Sequence, residues 1–396
     1  MSIMKIKDLT EQIRGVSYKP SDVVTSDVGL PILRANNIKG NSLSFDDLVF
    51  VKPERVSKKQ ILQNGDIVIC ASSGSKELVG KAGVFSNNDM YSFGAFCEAV
   101  RVKRIDGINS NYVRLYFGSK YYRECIAMSS KGSNINNIKT ENIEELSINI
   151  PSAEEQNIAV SLLNALISAI EHKKQELSSL DELVKSRFIE MFGDVVRNDK
   201  KWETHIITKV CPIKQYDGTL SQVNNKYWLL NLDLIESNTG TILDKYYADK
   251  KEIGNSTITF SENNVLYSKL RPYLNKVVLP DGNGYATSEL IPFLPLEKIN
   301  KYYLAYALRS DSFVTLVNSK AGGAKMPRAS MDFIRSFPLP VPPLSLQNEF
   351  AEFVKLIDKS KFVYHSKNFL CDIFTFSSST IAYPSVVSIF VCPKRC

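Results

Sequence analysis

Apolar residues in the middle of the chain recur at helical spacing over a long stretch. Six of them lie on one 3–4 heptad seam that only Lys173 interrupts: Leu163, Leu166, Ile170, Leu177, Leu180 and Val184. Ser152 and Glu155 stand at capping-box spacing before this seam, and Gly193 follows it as a C-terminal cap. The pattern predicts a helix of roughly forty residues and about 60 Å. Its length and narrow apolar stripe favour a spacer that packs along another helix over the alternative, an ordinary core helix.

A shorter pattern occurs twice in the chain. The segment 108–160 aligns with 299–351 without a gap. In each copy, apolar residues at every second position predict a half-buried strand that ends at a proline, Pro151 or Pro342. These apolar positions are Leu146, Ile148 and Ile150 in the first copy and Phe337, Leu339 and Val341 in the second. The repeat unit is therefore predicted to be a globular α/β part followed by a helix.

The second copy of the repeat predicts the position of its strand and the start of its helix. Because Pro338 and Pro340 cannot donate to a β-ladder, we expect this strand at a sheet edge. A second helix is predicted to begin at Ser345, and its apolar positions are Phe350, Phe353, Val354 and Ile357. The first turns of the two helices carry the pairs Gln156–Asn157 and Gln347–Asn348.

A second globular region lies between the two predicted helices. It is rich in short strand-like runs, such as KYWLLNLDLI from Lys226 and TITFSENNVLYSKL from Thr257, with Gly and Asn clusters as turn signals. We predict an α+β chain with a pseudo-two-fold internal repeat, in which long coiled-coil-like helices separate two globular α/β domains. The predicted boundaries are 1–151 and 197–342 for the domains, 152–196 for the central helix, 343–362 for the start of a distal helix and 363–396 for an atypical tail.

Composition narrows the class of protein. Lys and Arg outnumber Asp and Glu by 49 to 42, a net charge of +7 that suits a polyanionic partner without requiring one. The seven cysteines are scattered without a C-x-x-C pair, which favours a reduced protein. The first residues have no apolar run typical of a signal peptide, and nothing before residue 370 resembles a membrane span. We therefore predict a cytoplasmic location without membrane association.

The chain lacks familiar catalytic motifs. We find no Asn-Pro-Pro-aromatic motif for adenine methylation, no nuclease-like cluster of carboxylates and lysine, and no H-E-x-x-H. The string nearest to a phosphate-binding loop, from Gly74 to Lys81, has five residues between its glycines, and Ala82 stands where Ser or Thr is needed. The three histidines are far apart. These observations predict a protein without catalytic residues or a metal site.

Several stretches resemble a known family. Two dissimilar globular regions that each end in an apolar strand, a proline and a Gln–Asn pair are similar to the target-recognition domains of type I restriction-modification specificity subunits. ILQNGDIVICASSG (61–74) resembles a strand and turn of that domain, and FSENNVLYSKLRPYLNKVVL (260–279) resembles its second form. KGSNINNIKTENIEELSINIP and AGGAKMPRASMDFIRSFPLPVP resemble the family's loop and final strand. The resemblance covers residues 1 to about 360.

The resemblance implies a non-catalytic subunit with two target-recognition domains. Each domain would read one half of a split, asymmetric site in double-stranded DNA, and the helices would set the gap between the halves. The subunit would dock modification subunits, which bind S-adenosylmethionine and methylate adenine. Restriction subunits that use ATP and magnesium would join through this complex, so no cofactor is expected in this chain.

DNA recognition needs cations for phosphates and amide, guanidinium or hydroxyl groups for base edges. Candidates of these types lie in Gly- and Ser-rich loops. In the first domain they are Ser72, Ser73, Ser75, Lys76, Lys81, Lys131, Ser133, Asn134 and Asn137. In the second they are Lys269, Arg271, Lys276, Lys325 and Arg328. Arg271 and Arg328 are the strongest candidates, because arginine can contact guanine through two hydrogen bonds. For each single residue, an ordinary solvated side chain is the alternative.

The end of the chain departs from the family pattern. From about Val363 it carries one acidic residue, three cysteines, many serines and no heptad, where the family should have a long charged helix. A frameshift or rearrangement near residue 362 would explain this, and the copy would then be truncated, phase-variable or inactive. Alternatives are an apolar membrane anchor, which Pro384 disfavours, and metal binding by Cys371, Cys392 and Cys396, whose spacing matches no common site.

Two other functions compete with the specificity subunit. A restriction enzyme that fuses recognition with catalysis is disfavoured by the missing motifs, and DNA methylation by the purified chain alone would support it. A helical interaction scaffold without DNA specificity is disfavoured by the two dissimilar globular regions. Such a scaffold would bind modification subunits and show no sequence preference.

Overall fold

The computed structural model describes residues 2–75, 78–129, 137–323 and 326–366. Within these residues the chain forms two compact units, 2–170 and 171–366. Both units combine helices with small β-sheets, so the predicted α+β class is confirmed. The division between the units falls inside the long helix that the seam predicts.

The first unit contains small antiparallel and mixed sheets with short helices. Its strands are β1 Ser2–Lys5, β2 Thr10–Arg14, β3 Val23–Val24, β4 Leu30–Leu33, β5 Ile38–Lys39, β6 Ser42–Leu43, β7 Val49–Val51, β8 Ile67–Cys70, β9 Ala82–Val84, β10 Ser92–Phe93, β11 Cys97–Val102 and β12 Ser147–Ile150. Its helices are α1 Ile6–Leu9, α2 Ser110–Phe117, α3 Lys120–Ser129, α4 Thr140–Glu144 and the first part of α5 Ala153–Phe192.

Four-stranded sheets form the body of the first unit. Their strand orders are β10-β4-β7-β3 and β2-β11-β8-β9, and β1 pairs with β12. In β12 the side chains of Ile148 and Ile150 are buried and those of Ser147 and Asn149 are half-buried, so the predicted alternation is confirmed within this strand, which Leu146 precedes. One apolar cluster packs β8, β9, β11 and β12 against α2, α3 and α4 and includes Ala159 and Val160 of α5. This burial holds the first turns of α5 on the globular part.

The second unit repeats part of this architecture. Its strands are β13 Thr204–Ile206, β14 Gln222–Val223, β15 Lys226–Leu230, β16 Tyr247–Ala248, β17 Thr257–Phe260, β18 Val265–Ser268, β19 Val277–Val278, β20 Gly284–Thr287, β21 Leu290–Phe293 and β22 Pro338–Pro340. Its helices are the last part of α5, then α6 Ile207–Val210, α7 Lys301–Arg309, α8 Asp311–Ser319, α9 Met331–Ser336 and α10 Leu344–Ser366.

The proline-rich strand lies where the sequence predicts it. Among the described strands, β22 pairs with β13 alone, in a two-stranded sheet with Ile206 opposite Pro338 and Thr204 opposite Pro340. A two-stranded sheet consists of edges, so the predicted edge position is confirmed. The other sheets of this unit have the strand orders β14-β15-β20-β17 and β19-β18-β21. In the first of them β16 also pairs with β15.

The long helix has the predicted ends. α5 is 40 residues long, the Ser152 hydroxyl and backbone N–H both donate to the Glu155 carboxylate, and Glu155 N donates back to Ser152 Oγ at 3.3 Å. Gly193 follows the helix with a φ of 74°, which a residue with a side chain rarely adopts. The capping box and the glycine cap are therefore confirmed.

The apolar seam of α5 is covered to different degrees along its length. Val184 is buried in the main core of the second unit, and Leu180 packs against that core. Leu163, Leu166, Ile170 and Leu177 are half-buried. Within the second unit α5 contacts α10, since the rings of Phe188 and Phe350 lie 5.4 Å apart and Arg187 bonds to Glu349 at 3.0 Å.

The distal helix is also where the repeat predicts it. α10 runs to Ser366, and Phe350, Val354 and Ile357 are buried in the core of the second unit. The atypical tail predicted from about Val363 lies outside the described residues after Ser366. Among the described helices, none combines the length and apolar composition that a bilayer crossing requires.

Both Gln–Asn pairs connect a helix to its globular part. Gln156 is fully buried, its Oε1 accepts from Asn109 N at 2.8 Å, and its Nε2 donates to the carbonyls of Gly107 and Pro151. Asn157 accepts from the Asn109 side chain at 2.7 Å. These bonds tie the residues directly before α2 to the start of α5.

The second unit makes the same bonds at the aligned residues. Gln347 is fully buried and accepts from Asn300 N at 2.8 Å, and it donates to the carbonyls of Lys298 and Pro342. Asn348 accepts from the Asn300 side chain at 2.8 Å. The repeat seen in the sequence is therefore a repeat in three dimensions.

Candidate nucleic-acid interface

Each unit has the same three-stranded ladder near the sequence-predicted loops. In the first unit the order is β9-β8-β11, with Cys70 of β8 opposite Cys97 of β11. In the second the order is β19-β18-β21, with Ser268 of β18 opposite Leu290 of β21. Both ladders are antiparallel throughout. The register makes Cys70 and Ser268 equivalent, and likewise Cys97 and Leu290.

Backbone hydrogen bonds fix the chain directly after the central strand of the first unit. Ala71 N donates to Phe96 O at 2.9 Å, and Ile138 N donates to Ala71 O at 2.7 Å. Ser72 forms an antiparallel bridge with Asn137. Three separate segments of the chain therefore meet at one place.

The second unit has the equivalent bonds. Lys269 N donates to Glu289 O at 3.0 Å, and Ala329 N donates to Lys269 O at 2.8 Å. Leu270 forms an antiparallel bridge with Arg328. We call each meeting place the loop junction: residues 71–72, 96 and 137 in the first unit, and 269–270, 289 and 328 in the second.

The sequence-predicted candidates fall largely at or beside these junctions. Ser72 and Asn137 belong to the first junction, Lys269 and Arg328 to the second. Lys81 and Lys276 occupy equivalent positions, because their carbonyls accept from Cys70 N at 2.9 Å and Ser268 N at 3.0 Å. Ser73 and Ser75 follow the first junction, where Ser75 N donates to Ser73 Oγ. Lys76, Lys131, Ser133, Asn134 and Lys325 lie outside the described residues.

Arg271 holds a strained backbone beside the second junction. Its φ is 49°, in the left-handed region that favours glycine, and its N–H donates to Pro327 O at 2.7 Å. Its Nε is buried and has no hydrogen-bond partner among the described residues. Strain and an unpaired donor at one residue are features that cluster at functional sites.

The side chain of Arg328 is exposed, but an ion pair with Glu289 holds its guanidinium in one orientation. Its Nη2 bonds to Glu289 Oε1 at 2.9 Å, with 53% of the arginine side chain and 22% of the glutamate side chain exposed. Hydrogen bonding to Glu289, followed by its charge, raises the pKa of Arg328. The pair keeps the guanidinium in one plane at the surface, which suits recognition through two hydrogen bonds.

Lys276 has a structural contact instead of a free ammonium group. Its Nζ donates to Leu232 O at 2.6 Å, and burial lowers the pKa of this side chain. A cation that is half-buried and bonded to the backbone is poorly placed to neutralise a phosphate. We therefore leave Lys276 out of the contacts proposed below and retain Lys81, which is also half-buried.

Sequence reasoning missed two residues at the junctions, Phe96 and Glu289. Each is the second residue of a two-residue turn directly before a strand, β11 or β21. Phe96 is 68% exposed. Only the strand register identifies the two positions as equivalent, since they lie outside the segment that repeats in the sequence. A turn signal alone could not have selected them.

The second unit also contains a cavity of about 830 Å³ along its two long helices. Its lining includes Asp181 and Glu182 of α5, Asp358 of α10 and Arg309 of α7. Burial raises the pKa of Asp358 and lowers that of Arg309. Lys361 of α10 pairs with Asp181. Among the described residues, no group of three or more His, Cys, Asp or Glu side chains could hold a metal ion.

Comparison with known proteins identifies the family. The sequence profile of the family described as type I restriction modification DNA specificity domain matches the chain twice, at residues 1–182 and 199–367. The chain therefore belongs to this family, and the resemblance noted in the sequence is confirmed.

Two curated relatives agree with this assignment. The chain is 38% identical over 182 residues to the type I restriction enzyme StySPI specificity subunit of Salmonella potsdam. This alignment covers 46% of this chain and 39% of that protein. It is 34% identical over 204 residues to the EcoKI specificity subunit of Escherichia coli K12, covering 50% and 44%. The matches thus span less than half the length of either relative.

A solved structure supports the fold. The type I restriction-modification system S subunit from M. genitalium aligns with 98% of this chain and 95% of its own, with a TM-score of 0.52 and 12% identity. At that identity the likeness concerns the fold alone. It supports two repeated α+β domains in one chain.

Proposed function

We propose that this chain is the sequence-reading subunit of a type I restriction-modification complex, and that each unit reads one half of a bipartite, asymmetric DNA site. The observation that carries the proposal is the loop junction, in which two backbone hydrogen bonds and one antiparallel bridge occur in both units while the side chains differ. The first junction carries Ser72 and Asn137 where the second carries Leu270 and Arg328.

A common frame with different side chains suits two different half-sites. Base edges in the major groove differ in their pattern of donors and acceptors, so a change of side chain on a fixed backbone changes the base that is preferred. Cations beside the junction, such as Lys81, supply contacts to phosphates, which position the protein without reading sequence. The net charge of +7 agrees with such a partner.

The helices have the second role in this proposal. α5 is 40 residues long, and we expect the helices to set the gap between the two half-sites. The half-buried part of its apolar seam and the carboxylates around the cavity offer surfaces for modification subunits. S-adenosylmethionine, ATP and magnesium would be bound by the modification and restriction subunits, and this chain would act in the cytoplasm without catalysing a reaction.

Selection of preferred DNA sequences tests whether each unit reads its own half of the site. The chain, assembled with its modification subunit, is mixed with random duplex DNA, and the bound fraction is sequenced. We expect two fixed segments separated by a constant gap. Arg271→Ala should relax one segment and leave the other unchanged, because Arg271 belongs to one unit only. Loss of preference in both segments would contradict the modular assignment, and binding without any sequence preference would support a scaffold instead.

A further inference from the structure

The two loop junctions differ in a way that indicates base preference. Resting on the function proposed above, we propose that Phe96 and Asn137 contact an A·T base pair in the half-site read by the first unit. In the same proposal, Glu289 and Arg328 recognise a G·C base pair at the corresponding place of the other half-site. Phe96 and Glu289 thereby become specificity-determining residues.

The equivalence of these positions rests on backbone geometry. The carbonyl of Phe96 accepts from Ala71 N at 2.9 Å, and the carbonyl of Glu289 accepts from Lys269 N at 3.0 Å. The residue that follows each of them pairs with the last residue of the central strand, as Cys97 with Cys70. The two side chains therefore begin at the same place on the same framework.

Asn137 and Arg328 are equivalent by the same reasoning. Each bridges the second residue after the central strand, Ser72 in one unit and Leu270 in the other. The residue after each donates its N–H to the first residue after that strand, at 2.7 Å for Ile138 and 2.8 Å for Ala329. The two positions also align in the repeated segment of the sequence.

The chemistry of the first junction suits A·T. Asn137 is exposed, and an asparagine amide can donate to adenine N7 and accept from adenine N6. Phe96 is 68% exposed on a turn whose carbonyl is held by both Ala71 N and Ser72 N. An aromatic ring on a fixed turn can cover the thymine methyl group, the one apolar feature of base edges in the major groove. This contact would also remove the exposed ring from water.

The chemistry of the second junction suits G·C. Glu289 accepts from both Nε and Nη2 of Arg328, the shortest contact being 2.9 Å. A guanidinium has five N–H donors, and Glu289 accepts from the Nε hydrogen and from one Nη2 hydrogen. The two Nη1 hydrogens and the other Nη2 hydrogen remain on the edge of the guanidinium that faces away from Glu289. That edge can donate to guanine O6 and N7 together, and the glutamate can accept from cytosine N4. Glu289 is here a positioning residue that also favours cytosine.

An exchange of side chains between the junctions tests the inference. The double variant F96E/N137R places the second junction's side chains in the first unit, and E289F/R328N does the reverse. Each is assembled with the modification subunit, and its preferred sequence is determined by selection from random duplexes. We expect F96E/N137R to change one A·T position of one segment to G·C and to leave the other segment unchanged. The reverse exchange should change one G·C position of the other segment to A·T.

Single variants keep the test decisive if an exchange lowers binding altogether. Asn137→Ala and Arg328→Ala should each reduce discrimination at one base pair by roughly 5- to 150-fold, the usual value of one good pair of hydrogen bonds. Phe96→Ala should weaken discrimination at the same base pair as Asn137→Ala. Val28→Ala is the control, because it truncates another exposed apolar side chain of the first unit, one that is 60% exposed. This variant should leave the sequence preference unchanged. Thermal melting checks that each variant is folded.

The outcomes separate this inference from the proposed function. If the unmodified chain selects no split sequence, the proposed function fails. If it selects a split sequence but Phe96→Ala and Asn137→Ala alter different base pairs, or none, the A·T assignment is wrong while the function stands. If Arg328→Ala relaxes an A·T pair instead of a G·C pair, the assignment of the second junction is overturned.

Discussion

The buried side-chain amide of Gln347 accepts a hydrogen bond from the backbone N–H of Asn300 at 2.8 Å. Its NH₂ group donates to the carbonyls of Lys298 and Pro342 at 3.0 and 2.8 Å. One side chain thus joins the start of α10, the end of β22 and the start of α7. The same bonds at Gln156 make this connection a property of both units. We infer that each helix leaves its globular part in a fixed direction.

Loss of this connection should destabilise one unit at a time. Gln347→Ala removes three hydrogen bonds and leaves buried backbone groups unpaired, so we expect the second unit to lose about 2–4 kcal/mol. Differential scanning calorimetry of the full chain should show a lower melting temperature for one transition only. Gln156→Ala is the matched variant and should lower the other transition. Equal shifts of both transitions by either variant would contradict independent connections.

The contact between α5 and α10 in the second unit depends on aromatic packing. Phe350 is fully buried, and its ring lies 5.4, 5.5 and 5.2 Å from the rings of Phe188, Phe192 and Tyr306. Phe350→Ala should cost about 3–5 kcal/mol through lost burial and a new cavity. Urea unfolding measures this loss. Leu356→Ala on the same helix, at a side chain that is 62% exposed, should stay within about 0.5 kcal/mol of the unmodified chain. A similar cost for both variants would refute this packing.

Glu98 makes the stability of the first unit depend on pH. Burial raises the pKa of its carboxyl group, and its Oε1 accepts from Thr140 Oγ1 at 2.7 Å while Oε2 has no hydrogen-bond partner among the described residues. The folded state therefore binds the proton more tightly than the unfolded state, and stability falls as pH rises above the ordinary pKa of glutamate.

Removal of this buried charge should stabilise the protein at neutral pH. Glu98→Gln keeps the acceptor for Thr140, so we expect a melting temperature higher by a few degrees at pH 7, corresponding to about 1 kcal/mol. The advantage should shrink towards pH 4, where Glu98 is protonated in the unmodified chain. Glu54→Gln, at an exposed glutamate, is the control. An advantage that is the same at both pH values would count against burial as the cause.

Equivalent lysines in the two units should affect DNA binding differently. Lys81 has no backbone contact through its ammonium group among the described hydrogen bonds, whereas Lys276 donates to Leu232 O. Lys81→Ala should weaken binding to all DNA sequences. The plot of log affinity against log salt concentration should become less steep by about 0.9, the value for one phosphate contact. Lys276→Ala should lower the melting temperature and leave the slope unchanged. Fluorescence anisotropy at several salt concentrations distinguishes these results, and a changed slope for Lys276→Ala alone would reverse the assignment.

The sequence predicts those parts of the structure that depend on neighbours along the chain. Ser152, Glu155 and Gly193 are local signals, and they locate both ends of α5. The apolar alternation around Ile148 and the prolines of β22 likewise indicate the strands and the sheet edge. These elements could be predicted because capping and side-chain alternation act over a few residues.

The loop junctions could be predicted only in part, because they join distant segments. The sequence indicates Arg328 as an arginine in a glycine-rich loop, but its partner Glu289 lies 39 residues away. The contact of Lys276 with Leu232 spans 44 residues and gives a candidate cation a structural role. Phe96 has no polar group that would mark it as a candidate. Strand register, which the sequence does not encode locally, brings these residues together.

Adenine methylation in living cells tests the central claim most directly. A restriction-deficient host expresses this chain with its modification subunit, and its genome is examined by long-read sequencing that detects methylated adenine. We predict methylation at one motif made of two different segments with a constant gap, and its presence would also show that residues 363–396 are tolerated. Methylation at a continuous motif, or at a motif that stays the same when residues 197–342 are replaced by the equivalent region of another family member, would contradict the claim that each unit reads its own half of the site.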